Sequence, residues 1–122
     1  MFKVISLLVK RSDLTRDAFM AYYESHHVPL IRRLFPWIVD YRRNFVDLTG
    51  AIYGAAAARP DFDVVTEIWF ADRAGYERML AEHAKPGVGD AIATDEKNFL
   101  DSSKTRFFVV NETGVPDGPG GP

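Results

Sequence analysis

A chain of 122 residues, 47% of them hydrophobic, has the material for one domain with a single core. The absence of cysteine removes disulfides, thiolate catalysis and thiolate metal sites, and suits a cytoplasmic location. A net charge of −2 and a pI near 5.9 provide no basic field for nucleic acid.

The N-terminal run MFKVISLLVKR has too few apolar residues to span a membrane and no small-residue cleavage site, so a soluble, unprocessed chain is expected. Phe2–Val9 is apolar and β-favouring almost throughout, which predicts a strand covered on both faces. The next stretch, Leu14–Leu34, opens as a helix. Thr15 can accept a hydrogen bond from an orphan amide, and Leu14 and Phe19 occupy the positions of a hydrophobic staple. Phe19, Tyr22, Tyr23, His26 and Leu30 then recur at three- and four-residue spacing, mixing aromatic rings and imidazole on one face. Pro29 lacks an N–H and crowds the carbonyl of Ser25, so the helix should stop or bend beside His26 and His27.

Val39–Leu48 predicts a second strand with Tyr41, Arg43 and Phe45 on one side and Arg42, Asn44 and Val46 on the other. Thr49–Asp61, bracketed by Gly and Pro, reads as a long loop beside a possible site. Phe62–Phe70 is a third strand. Asp72 can cap the following helix, whose Tyr76, Met79, Leu80 and His83 share one face, and Lys85-Pro86-Gly87 ends it. Val88–Leu100 has helical character around DEKNFL, anchored by Phe99, and Thr105–Asn111 is the last strand. The order is βαββαβ with a short extra helix, an α+β arrangement over residues 1–112, followed by a flexible Pro/Gly-rich tail over 113–122.

In a two-layer domain the face of the sheet away from the helices should be polar if it meets water. Strand one has apolar residues on both sides, and the last strand sets Phe108 and Val110 against Phe107 and Val109. A homodimer that joins these sheet faces is therefore expected.

The segments LLVKR, LTRDAFMAYYESHHVPL, EIWFAD and DEKNFLD, in this order and spacing, resemble the EthD family of the dimeric α/β-barrel superfamily over about residues 1–112. His27-Val28-Pro29-Leu30 matches the family's His-x-Pro-Leu pattern, approached by Phe19, Tyr22 and Tyr23. The resemblance implies a ferredoxin-like fold with a four-stranded antiparallel sheet, dimerised through its sheets, and a ligand cleft between sheet and helices. Its relatives act on polyketides and lactones by different chemistries.

His27 is the first candidate for a general base or acid, because imidazole titrates near neutrality. Ideal helical periodicity puts the adjacent His26, about 100° away, nearer the apolar face, so it is the second candidate. Tyr23 is the third catalytic candidate. Phe19, Tyr22, Trp69, His83 and Phe107 are candidates to line the substrate cleft, with core packing as the competing role of each. Glu67 reads as half of an ion pair with Arg43 or Arg106. Arg32, Arg33, Arg42 and Arg43 are candidates to hold an acidic group, with solvated surface charge as the alternative. Adjacent histidines diverge too far to grip one ion, and no phosphate-loop glycine pattern occurs, so neither metal nor nucleotide is expected.

The functional expectation is a cofactor-independent enzyme, an isomerase, cyclase or lyase, acting on a small apolar oxygenated molecule such as an aromatic polyketide or lactone. Two alternatives remain at this level: a non-catalytic dimer that binds an apolar metabolite, and a haem-dependent monooxygenase-like protein.

Overall fold

Residues 2–8 alternate, with Val4, Ser6 and Leu8 turned to one side and Lys3, Ile5 and Leu7 to the other, and this alternation sets the two faces of the sheet. The structure, a computed structural model, describes residues 1–114; the tail expected over 113–122 lies, from residue 115 on, outside the described residues. Strand β1 (Phe2–Leu8) is central, with β3 (Val64–Phe70) on one side and β4 (Arg106–Val110) on the other. Strand β2 (Asp40–Phe45) pairs with β3, and the order β2-β3-β1-β4 is antiparallel throughout. This is the expected α+β, ferredoxin-like arrangement.

The helices cover one face. Thr15 caps α1 (Arg16–Tyr22) by accepting a hydrogen bond from the Ala18 amide at 3.1 Å. The chain does not stop at Pro29. A π-helical turn (Tyr23–His27) leads straight into α2 (Val28–Leu34), and the Val28 N–H reaches back five residues to the Tyr23 carbonyl. Pro29 then follows the widened turn directly, and that local departure from i→i+4 bonding lets the helix run on past a residue that has no N–H.

Helix α3 (Arg73–His83) is capped by Asp72, which accepts from the Gly75 amide at 3.1 Å. Of its expected apolar face only Met79 is buried. Tyr76 is half-buried, stacked between Phe2 and Phe107, whereas Leu80 is 48% exposed and His83 is exposed. The helix rests on the sheet through Tyr76 and Met79, which leaves Leu80 turned to water. After Gly87, at φ 87°, α4 (Val88–Glu96) begins. Its end is tied to the sheet where the Phe99 carbonyl accepts from Arg11 N–H at 2.9 Å and Asp101 N–H donates to Val9 at 2.8 Å.

The other face of the sheet is only partly apolar. Ile5, Leu7, Val65 and Val110 are half-buried and Phe108 is 45% exposed, so β1 is fully covered on the helix side alone. Beside them Lys3 Nζ bridges Glu67 and Glu112, each at 2.6 Å, and the Trp69 indole N–H donates to Glu112. The expected pairing of Glu67 with Arg43 or Arg106 is therefore replaced by Lys3. Register explains the change. Arg43 lies opposite Thr66 on the helix side and bonds Glu24, while Arg106 reaches Asp61 at the far end of the sheet. Trp69, expected at the cleft, belongs to this same open face.

Candidate functional site: a cavity between helices and sheet

The residues of the π turn give the site its chemistry. A widened turn holds one extra residue, which displaces everything after it by about 100°. The buried stripe that begins with Phe19 and Tyr23 therefore continues at His27 and not at His26. His27 is 5% exposed. His26 is exposed, stacks flat on Tyr22 with ring centroids 4.3 Å apart, and takes its Nδ1 contact from Ser25 at 2.9 Å.

His27 lines a cavity of about 260 Å³. Its floor is the helix-facing side of the sheet, with Ser6, Tyr41, Thr66, Ile68 and Phe107, and its roof includes Tyr23, Ile31, Met79, His83, Ile92 and Glu96. Most of this surface is apolar, and among the described residues no Lys or Arg lines it. A second hollow of about 310 Å³ lies by Phe19, Phe45 and residues 59–63, the end of the long loop. Its lining mixes Lys10, Arg16 and Arg59 with Asp47, Asp61 and Asp63, and Lys10 Nζ is already held by the carbonyls of Arg11 and Leu14. The cavity that contains the histidine is the candidate site.

His27 Nδ1 lies 2.8 Å from Asp95 Oδ2. A carboxylate only accepts, so Nδ1 carries the proton and the lone pair of the neutral ring sits on Nε2. Burial pushes the imidazole below its ordinary value, with Asp95 opposing the shift, so the ring is neutral at pH 7. Asp95 is itself fixed. Its Oδ1 accepts from the Tyr22 hydroxyl at 2.6 Å, and Asn98 Nδ2 donates to that hydroxyl at 2.9 Å. Tyr22 thus stands behind the carboxylate and outside the cavity lining.

On the floor, Tyr41 donates to the Tyr23 hydroxyl at 3.1 Å, and Tyr23 lies 2.7 Å from Thr66 Oγ1. Burial pushes the Tyr23 phenol up to about 12 and Tyr41 well above its ordinary value, so both stay protonated. Either hydroxyl of the Tyr23–Thr66 pair can donate, and when Tyr23 donates, the Thr66 hydroxyl proton can turn to a bound oxygen. Ser6, opposite Thr66 in the register, adds a second hydroxyl to the floor.

Of the residues singled out from sequence, His27, Tyr23, His83 and Phe107 meet at this cavity. His26, Tyr22 and Trp69 do not line it, and Phe19 is core beside the other hollow. Asp95, Glu96, Tyr41, Thr66 and Ser6 were missed. A signal for the acids was available, because Asp95 and Glu96 lie three and four residues after Ile92 and before Phe99, on the one buried face of α4. Among the described residues no group of three His, Asp or Glu side chains is placed to hold a metal ion. At about 260 Å³ the cavity lies just under the roughly 300–1,000 Å³ usual for small-molecule sites, which suits a ligand of one or two rings and is too small for a haem macrocycle.

A family model for the EthD domain matches residues 11–103. The chain belongs to the EthD domain family. Among solved structures, this EthD-domain chain is similar to an EthD family protein from Bacillus halodurans, with TM-score 0.60, 21% identity, and coverage of 92% of this chain and 99% of that one. It is also similar to SnoaB, a cofactor-independent oxygenase from Streptomyces nogalater, with TM-score 0.54, 13% identity, and coverage of 91% of both chains. A dimeric protein of unknown function with a ferredoxin-like fold from Bacteroides fragilis matches at TM-score 0.54 and 9% identity, covering 91% of this chain and 95% of that one. No curated protein matches. At these identities the structural likenesses speak for the fold alone.

Proposed function

We propose that this EthD-domain protein is a cofactor-independent enzyme that moves a proton at a carbon next to a carbonyl, in a small, neutral, mostly apolar molecule of the lactone or aromatic polyketide type. One observation carries the reading: a neutral histidine whose Nδ1 is fixed by Asp95 and whose Nε2 has no partner among the described residues lines an apolar cavity. Nε2 takes the proton, the Asp95 carboxylate steadies the imidazolium that forms, and Thr66, backed by Tyr23 and Tyr41, donates to the developing enolate oxygen. Isomerisation, cyclisation and loss of water share that intermediate. The protein is a homodimer joined through the open sheet face, and Phe108, Ile5 and Val65 supply the apolar part of the contact.

The test is incubation with a panel of neutral lactones and hydroxylated aromatic ketones, followed by mass analysis of released and retained species. The proposal expects a changed mass for at least one compound. It expects His27→Ala to lower that turnover by about 10²–10⁴, the range of a general acid–base group. Tight retention of unchanged compounds by both proteins would replace the enzyme with a binding protein.

A further inference from the structure

Among the described residues Glu96 is the one carboxyl side chain in the cavity lining, and the proton abstraction described above does not use it. It follows Asp95 on α4 and shares the buried face of that helix with Ile92. The two acids differ in their surroundings. Asp95 is held by His27 and Tyr22, whereas Glu96 has no hydrogen bond or cation acting on it among the described residues. Burial, followed by the Asp95 charge, pushes its carboxyl up to about 7. The titratable groups that face the same space are His27 from the π turn, Tyr23 beside it, Tyr41 from β2 and His83 from α3. None is a permanent cation that would hold Glu96 ionised. A carboxyl kept neutral in this way has a proton to give, and its ionised form would repel an anionic ligand.

We propose that Glu96 is a second catalytic residue, which donates a hydrogen bond and then its proton to the oxygen of a neutral carbonyl ligand while His27 Nε2 removes the proton from the adjacent carbon. This rests on the function proposed above and deepens it. The carbon–hydrogen electron pair becomes the new carbon–carbon double bond, and the carbonyl π pair moves to oxygen, which takes the Glu96 proton. The products are an enol, an imidazolium and a carboxylate. Return of the imidazolium proton to a carbon and of the enol proton to Glu96 restores both groups, so no oxidant, reductant or metal is consumed. Without an Arg or Lys in the lining among the described residues, the ligand class is neutral: ketones, lactones and their enols, and not carboxylates or phosphates.

The experiment uses 2-naphthol, a stable planar aromatic mimic of the enol of 2-tetralone, as a binding probe, and 2-tetralone in D₂O as an exchange probe. Wild-type protein should bind 2-naphthol with an affinity that falls roughly tenfold between pH 6 and pH 8 as Glu96 ionises. Glu96→Gln should bind it with no such fall, and should slow deuterium entry into 2-tetralone at least tenfold. The wild-type pH dependence needs no variant to fold. If 2-naphthol fails to bind at millimolar concentration, or binds wild type and Glu96→Gln alike with no pH dependence, the Glu96 assignment is overturned. pH-dependent binding without any exchange would overturn the catalytic role of Glu96 together with that of His27 and leave Glu96 a ligand donor only. Exchange that survives Glu96→Gln unchanged would overturn the role of Glu96 and leave that of His27 standing.

Discussion

At the scale of single residues the site is a set of groups whose environments separate their charges. His27 is held neutral by burial and Glu96 is held protonated by burial, so base and acid coexist near neutral pH. Each leaves a mark on stability. Glu96 has a raised value in the folded state, so its contribution is fully present below the ordinary carboxylate value near 4.5 and is lost as pH rises through about 7. Glu96→Gln should therefore change stability little at pH 4.5 and raise it by about 1–3 kcal/mol at pH 8, after allowance for partial exposure. Paired urea titrations at the two pH values check this, and an equal effect at both would contradict it. His27 runs the other way. Its value is lowered on folding, so stability is lost as pH falls below 6.5.

At the scale of elements, the site depends on two local departures from regular structure. The first is the π turn. Sequence periodicity favoured His26 because it assumed 100° per residue across Tyr23–His27, and the extra residue held there turned the face by one position. The strands, the Thr15 and Asp72 caps and the Phe99 anchor were legible because each rests on neighbours in the chain. The place of Asp95 on the buried face of α4 was open to periodicity, but its pairing with His27, 68 residues away, was not, and neither was the contact of Thr66 with Tyr23, 43 residues away. The second departure is the close approach of α4 to the end of α3. A Cβ on Gly89 would lie 2.7 Å from the His83 carbonyl, and that backbone oxygen cannot yield as a side-chain tip can. Gly89→Ala should push α4 away, lower stability by about 1–3 kcal/mol and displace Asp95 from His27. Thermal melts with a histidine NMR spectrum would show it, and an unshifted melting temperature would contradict the packing.

At the scale of the molecule, the helices cover one sheet face and leave the other with a mixed character. The Lys3, Glu67 and Glu112 cluster, partly buried with Trp69, fixes a polar patch beside Ile5, Leu7, Val65 and Phe108. The sequence made this face look uniformly apolar, since it did not show which charges the register would gather there. Phe108 is the largest exposed apolar group on it. A charge at its place must be desolvated if two such faces meet, so Phe108→Glu should convert a dimer to a monomer in sedimentation while leaving circular dichroism unchanged. A wild-type protein that sediments as a monomer would contradict the proposed assembly. Among the described residues no helix is long and apolar enough to cross a membrane.

In the proposed reaction His27 Nε2 takes a proton from carbon inside the cavity. Deuterium entry into 2-tetralone in D₂O, followed by mass or NMR across pH 5–8.5, tests it most directly, because exchange reports deprotonation even when no net product forms. Wild-type protein should accelerate exchange along a bell, rising with deprotonation of His27 below 6.5 and falling as Glu96 ionises near 7, and His27→Ala should return the rate to that of buffer. A His27→Ala protein that exchanges the probe as fast as wild type would contradict it.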